Sequence, residues 1–366
     1  MTAVVTGLGA VSSLGRGVDA FYRRLRAGDS AIRALLPGES PGLEAEGVAR
    51  VDGWIPQPEI PAGRARRMDR GSQFAVVASL EAVRNAGYPV QDRRDRMGIA
   101  LGTGSAGSGA LSEFIRVLFV ESPEAAPPFH FPNTIANGPA SQVSLELNFL
   151  GPNVTVTQKD PSALNAAIYA IGCLEDGRAE AMIAGGVDEW NAVYSLAMGH
   201  MRALRGPALR SGIVQGEGCY VALLETEEGA LARGAPIRAR LSGFGFAGAP
   251  SAPYAYAPDP EAAERAMRDA LDRAGADASS VDLVLLTRNG REEIDEIECR
   301  VLDRLFRGRI PETLAVKDKI GEMAAAGGAE IVAACCRLAE EGGPGLALVN
   351  SFGAGGNFIS LVLERP

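Results

Sequence analysis

The segment best suited to chemistry is Gly151-Pro-Asn-Val-Thr-Val-Thr-Gln-Lys-Asp-Pro-Ser-Ala163, which runs on into Leu164-Asn-Ala-Ala-Ile-Tyr-Ala-Ile171. Gly-Pro, alternating β-branched residues, small residues and then an apolar run predict a strand, a sharp turn and a helix. Such a turn presents a side chain at a helix N-terminus, where N–H groups and the helix dipole favour negative charge. A thiolate nucleophile would be activated there. This turn carries Asp160 and no cysteine.

The surrounding chain supplies elements to hold that turn. Val4-Val-Thr-Gly-Leu-Gly9 is echoed by Arg240-Leu-Ser-Gly-Phe-Gly245, each a short predicted strand ending in Gly-x-Gly. Ile99–Gly102 and Val284–Thr287 are the next strands of the two halves, and Ala181–Gly186 and Leu346–Asn350 follow. Helices are predicted over Gln73–Asn85 and Pro260–Ala274, the second after a Pro-Asp-Pro start signal. Alternating strands and helices mean α/β layers. Residues 34–64, rich in Pro and Gly, read as surface loops.

Composition narrows the function. The 366 residues are 46% hydrophobic, enough for a large core in two domains or two fused halves. No apolar run approaches the ~18 residues of a membrane span. The apolar N-terminus is broken by Gly7, Gly9 and Gly15 and lacks a preceding basic residue, which argues against a signal peptide. Five cysteines without regular spacing fit reduced thiols and a cytoplasmic location. A net charge of −9 argues against nucleic acid or an anionic membrane. Metal-ligand pairs, a phosphate loop and a Gly-x-Ser-x-Gly elbow are absent, so no metal or cofactor is expected. Gly7-x-Gly9-x-x-Ser12 lacks the third glycine of a dinucleotide loop. Cys173 and the adjacent Cys335-Cys336 sit in apolar helical stretches and read as core.

In order, the segments resemble the β-ketoacyl synthases. Val4–Gly15 is similar to the family's opening strand and turn. Gly151–Ala163 is similar to its nucleophile turn, with the cysteine falling on Asp160. Gly177–Gly186 matches the strand after the nucleophile helix, and Ser211-Gly-Ile-Val-Gln-Gly-Glu-Gly218 a Gly-Phe-Val-x-Gly-Glu-Gly segment. Glu228–Ala235 resembles the linker between halves, and Asn350-Ser-Phe-Gly-Ala-Gly-Gly-Asn357 the C-terminal glycine loop. The resemblance implies a thiolase-like α/β fold: two pseudo-duplicated βαβαβαββ halves, 1–230 and 236–366, in a five-layer αβαβα sandwich. Glu217 and Phe352 match positions near the family's active site, where the phenylalanine gates the pocket.

The departures fall on the reacting groups. Where the family has His-Gly-Thr-Gly-Thr this chain has Thr287-Arg-Asn-Gly-Arg291, so Thr287 replaces the first histidine. Lys317-Asp-Lys-Ile-Gly-Glu322 keeps the lysine and puts Glu322 at the second histidine. The chain's two histidines, His130 and His200, lie in neither motif. Decarboxylative condensation needs a thiolate to carry the acyl chain and imidazoles to support the enolate. Asp160 is a poor acyl carrier, and Glu322 would repel the enolate. The only lysines, Lys159, Lys317 and Lys319, all lie in these two altered motifs. A strong arginine bias leaves few lysines anywhere; alternatively a compact ammonium is wanted where a guanidinium would not fit. On the second reading Asp160 pairs with Lys317 or Lys159.

A synthase scaffold without its reacting residues resembles the chain-length factor, or ketosynthase β-subunit, of type II polyketide synthases. That resemblance implies a heterodimer with an active ketosynthase α-subunit, contact with acyl carrier protein mainly through that partner, and steric control of the acyl tunnel. The tunnel region corresponds to Gly104–Asn137, whose Leu111, Phe114, Ile115, Leu118, Phe119, Phe129 and Phe131 are the expected wall; ordinary core is the alternative for this stripe. Aromatic-polyketide factors are longer and carry glutamine at Asp160's position. The shorter chain is more similar to β-subunits of highly reducing, polyene-making systems. A stand-alone synthase or acyltransferase with rearranged residues, and a purely structural subunit, are the other readings.

Overall fold

The computed structural model describes residues 3–126, 128–207, 209–309 and 311–366, apart from the side chain of Phe129. The expectation at Phe129 therefore lies outside the described residues. The strands of the main sheet are β1 (Ala3–Ser12), β2 (Met97–Gly102), β3 (Asn153–Val156), β4 (Ala181–Asp188), β5 (Gly218–Thr226), β6 (Ala239–Gly248), β7 (Leu283–Leu285), β8 (Glu312–Leu314), β9 (Leu346–Gly353) and β10 (Asn357–Glu364). Their order is β8-β7-β9-β10-β6-β1-β5-β4-β2-β3, with Gly15–Arg16 pairing β1 off this path. The order is a mirror about the β1–β6 junction, so β1, β5, β4, β2 and β3 correspond to β6, β10, β9, β7 and β8. Only Ala3↔Leu241, Val4↔Arg240 and Val5↔Ala239 join the halves there.

Beyond that short seam two helices lie between the half-sheets: α4 (Ser162–Glu175) and α8 (Ala326–Leu338). Both are rich in Ala, Ile and Leu and are buried along nearly their whole length. One apolar cluster joins them to β1, β5, β9 and β10. Outside the N-terminal half-sheet lie α1 (Arg70–Ala86) and α3 (Gly138–Leu147); outside the C-terminal one lie α6 (Pro260–Ala274) and α7 (Glu292–Phe306). This is the five-layer thiolase-like arrangement. Two further helices, α2 (Ser108–Arg116) and α5 (Ala192–His200), lie between strands of the N-terminal half. No helix among the described residues is long and apolar enough to cross a membrane.

The repeated Gly-x-Gly has a packing cause. A Cβ on Gly7 or Gly9 would stand 2.1 and 1.9 Å from the carbonyl oxygens of Ala82 and Ala78 in α1. A Cβ on Gly243 or Gly245 would stand 2.1 Å from those of Ala270 and Ala266 in α6. Each half thus packs its outer helix directly on strand backbone. Helix ends follow local rules: Asp259 accepts from Ala262 N–H at 2.9 Å ahead of Pro260, and Gly275 closes α6 at φ 64°.

Residues 34–64 depart from the expected surface loop. Val48–Ala49 is a strand between Ile32–Arg33 and Gln215–Gly216, and Val48, Ala49, Val51 and Ile60 are buried. Glu217 holds this segment: its backbone N–H donates to Ala49, and its carboxylate accepts from Val51 N–H at 2.8 Å.

Replacing Gly245 by Ala forces β6 away from α6, and overpacking of this kind should cost about 3 kcal/mol. Urea unfolding of the variant would measure it; an unchanged midpoint would remove close helix–strand approach as the reason for the glycine.

Candidate functional site

The N-termini of α4 and α8 emerge side by side, because the two central helices start at the same end of the layer. Ala163 N–H donates to Ala324 O at 3.3 Å. The segments just before them deliver Asp160 and Glu322 to one cavity of about 340 Å³. Its walls include Thr103, Asp188, Trp190, Tyr194, Met198, Met201, Tyr254, Tyr256, Met323 and Ala354, with Lys159, Arg202 and Arg291 as cations. No cysteine or histidine is among the described residues lining it.

Asp160 stands just ahead of Pro161, the cap residue of α4, as the turn chemistry predicts. Its Oδ2 accepts from Tyr256 Oη at 3.1 Å and from the Ala354 N–H at 3.0 Å. Its main-chain oxygen accepts from Ser351 Oγ at 3.2 Å. The expected pairing with a lysine is not what the structure shows. Lys317 lies 3.1 Å from Glu322 and is committed there. Lys159 has left-handed backbone, φ 57°, which turns its ammonium onto the Tyr254 ring, 4.4 Å from the centroid.

Thr287 sits at the end of β7, fully buried and outside the cavity. Its hydroxyl accepts from Phe352 N–H at 2.8 Å, and its own N–H donates to Glu298 at 3.0 Å. Phe352 is fully buried too, packed on Phe358 with ring centroids 5.2 Å apart. It does not line the cavity; the strand ends at Gly353 and Ala354 is the residue that faces in. A Cβ on Gly353 would come within 2.5 Å of Pro161, which keeps the loop tight against the turn. Glu217 is buried and bound by Arg70, at 2.7 and 2.9 Å, and by Trp190 N–H at 3.1 Å; it anchors loops around the cavity.

Sequence reasoning missed the groups that partner these residues. Asn289, inside the quoted Thr287–Arg291 segment, donates to Tyr256 Oη at 2.8 Å. Tyr256 lay in a Pro/Ala/Tyr stretch with no pattern to single it out. Burial, together with the carboxylates of Asp160 and Glu322, holds its phenol well above the usual range, so it remains a donor. Behind Glu322 lie two more buried carboxyls, Glu330 and Glu298. Glu298 accepts from Thr287 and Arg288 N–H groups and from Asn350 Nδ2. One ammonium, Lys317, serves all three. Burial opposes its charge, but Glu322, Glu330 and Asp160 outweigh burial and raise it above the ordinary lysine range. Burial pushes Glu322 and Glu298 each up to about 7 and Glu330 well above its usual value, with Lys317 pulling the other way. These carboxyls retain protons that exposed ones would lose.

The residues expected to form the tunnel wall do not line this cavity. α2 has no buried residue; Leu111 is 41%, Ile115 44%, Phe119 80% and Phe131 58% exposed. Phe114 and Leu118 are half-buried, with Phe114 against Phe131 at 5.6 Å between centroids. None lines the cavity, and most of the stripe is exposed and not core.

Residues 2–230 match the family model described as beta-ketoacyl synthase, N-terminal domain, and residues 238–346 the corresponding C-terminal domain. The chain is similar to nodulation protein E of Rhizobium sp. (strain N33), 32% identical over 315 residues, covering 83% of this chain and 77% of that one. It is 30% identical over 293 residues to 3-oxoacyl-[acyl-carrier-protein] synthase 2 of Staphylococcus aureus (strain N315), covering 76% and 70%. Among solved structures, the ishigamide ketosynthase/chain length factor superposes with a TM-score of 0.87 at 26% identity, covering 100% of this chain and 99% of that one.

The carboxyl cluster predicts a pH dependence. Glu322 and Glu298 bind protons more tightly folded than unfolded, so their contribution is complete below the ordinary carboxyl range and is lost as pH rises through about 7. The slope is at most about 1.4 kcal/mol per pH unit for each group. The urea midpoint should therefore fall between about pH 5 and pH 7.5, and Glu322→Gln should flatten that fall. A midpoint that rises over this interval would contradict the assignment.

Proposed function

The chain belongs to the beta-ketoacyl synthase family, and from that premise we propose that it is a non-catalytic, chain-length-factor-type subunit that pairs with an active ketosynthase. One observation carries the reading. The cavity at the heads of the two central helices is lined by Asp160 and Glu322, while Thr287 is buried outside it, and among the described residues no thiol or imidazole faces in. An acyl group has no nucleophile to carry it there. Neither Asp160 nor Glu322 supplies the imidazole groups that support a developing enolate.

The surface supports pairing. Leu111, Ile115, Phe119, Val120, Phe131 and Ile135 are all more than two-fifths exposed on neighbouring segments. An apolar patch of this kind marks an interaction site. β3 ends the sheet, and its outer edge is unpaired among the described residues. In this proposal the partner covers the patch, and Phe114 and Leu118 beneath it complete a tunnel wall that the single chain leaves open. Chain length is then set by the clash between a lengthening acyl chain and these side chains, since overpacking costs about 1–3 kcal/mol. Acyl carrier protein is reached mainly through the partner. A highly reducing, polyene-type system is the narrower proposal.

Co-expression with the ketosynthase encoded beside it should give a 1:1 complex by size exclusion, and condensation should need both chains. Phe119→Asp and Ile115→Asp should break the complex. Phe114→Ala and Leu118→Ala should leave it intact and lengthen the product, read by mass spectrometry. Carbon–carbon bond formation by the purified chain alone would overturn the proposal in favour of a stand-alone synthase. Unchanged products from the tunnel variants would leave a structural subunit only.

A further inference from the structure

We infer that Asp160 is a built-in occupant of the cavity: its carboxylate takes, from within the chain, the position that a ligand's oxygen atom would fill, and in doing so it straps two loops of the C-terminal half over the cavity. Two donors converge on a single oxygen, the Ala354 N–H at 3.0 Å and Tyr256 Oη at 3.1 Å. Converging donors of this kind are what bind a carbonyl or carboxylate oxygen. Here both are already engaged. Asp160 is already held in place by the chain, whereas a free thioester must give up its freedom to bind, so the thioester carbonyl does not displace it.

The donors come from two segments remote in sequence, which makes the contact a fastening. Residues 249–256 form a strap and residues 353–356 the glycine loop. They are tied to each other by Gly355 N–H to Ala255 O and Ala249 N–H to Gly356 O, both at 2.9 Å. Together they are tied to the N-terminal half through Asp160, with Ser351 Oγ adding a bond to its main-chain oxygen. Tyr256 is aimed by Asn289, and Tyr254, from the same strap, lies over the Lys159 ammonium. The turn that in a condensing enzyme would present a nucleophile instead fastens these two loops at the cavity wall. This inference does not depend on whether the chain pairs with a ketosynthase.

The test uses the purified chain and three variants. Asp160→Ala frees both donors; Asp160→Asn keeps an acceptor oxygen in place but removes the charge; Tyr256→Phe removes one donor and leaves Asp160 untouched. Binding of S-octanoyl-pantetheine is followed by tryptophan fluorescence, since Trp190 lines the cavity, and hydrogen exchange is read at residues 249–256 and 353–356. Asp160→Ala should bind the probe at least about tenfold more tightly than the parent and exchange about tenfold faster in both segments, while Asp160→Asn stays within about threefold. Tyr256→Phe should speed exchange in the strap, and it decides the matter if Asp160→Ala does not fold. Binding and exchange unchanged in Asp160→Ala would overturn the inference. So would Asp160→Asn behaving like Asp160→Ala, which would make charge repulsion, not occupancy, the barrier.

Discussion

Two largely buried central helices govern the rest of this molecule. α4 and α8 are covered by sheet on both sides, so most of their side chains are apolar, and the buried exception Glu330 is pushed toward its neutral form by burial. The duplicated fold starts both at the same end of the layer. Whatever residues precede them are therefore brought together where the apolar layer gives out. Asp160 and Glu322 meet for that reason, although they lie in different halves of the chain. The seam between the halves contributes three residue pairs; burial of the central layer holds them together.

That constraint also shapes what may replace a reacting residue. A polar group at the head of α4 or α8 must find partners inside the layer. Asp160 finds an N–H and a phenol; Glu322 finds Lys317. Thr287 is drawn into the backbone of the neighbouring strand. With three carboxyls and one ammonium behind the cavity, protons do the remaining work of neutralisation. Asp160 and Thr287 are hydrogen-bonded to their surroundings, while Glu322 is held by its ion pair with Lys317.

The framework was legible because its rules are local. The Gly-x-Gly echoes record where an outer helix presses on strand backbone, and the turn before α4 is written in Gly-Pro, β-branched and small residues. The helix over Pro260–Ala274 announces its own start. Contacts made across the layers were not legible. Tyr256 is 96 residues from Asp160 and Ala354 is 194 away, and neither distance leaves a mark on local composition. Lysine scarcity drew attention to the correct motifs but not to the correct pairs, because Lys159 is steered by a left-handed backbone that its sequence does not reveal. In α2, apolar spacing described an amphipathic helix faithfully. It could not say whether the apolar side would be covered by this chain or by another.

A polypeptide that leaves Phe119 four-fifths bare beside an unfinished sheet is poorly suited to solitude. Copies made in excess of whatever covers that face would be drawn to one another, to chaperones and to proteases. On the proposed pairing, its abundance in a cell would be coupled to that of the covering subunit, and gene dosage would be corrected after translation by removal of the unaccompanied surplus.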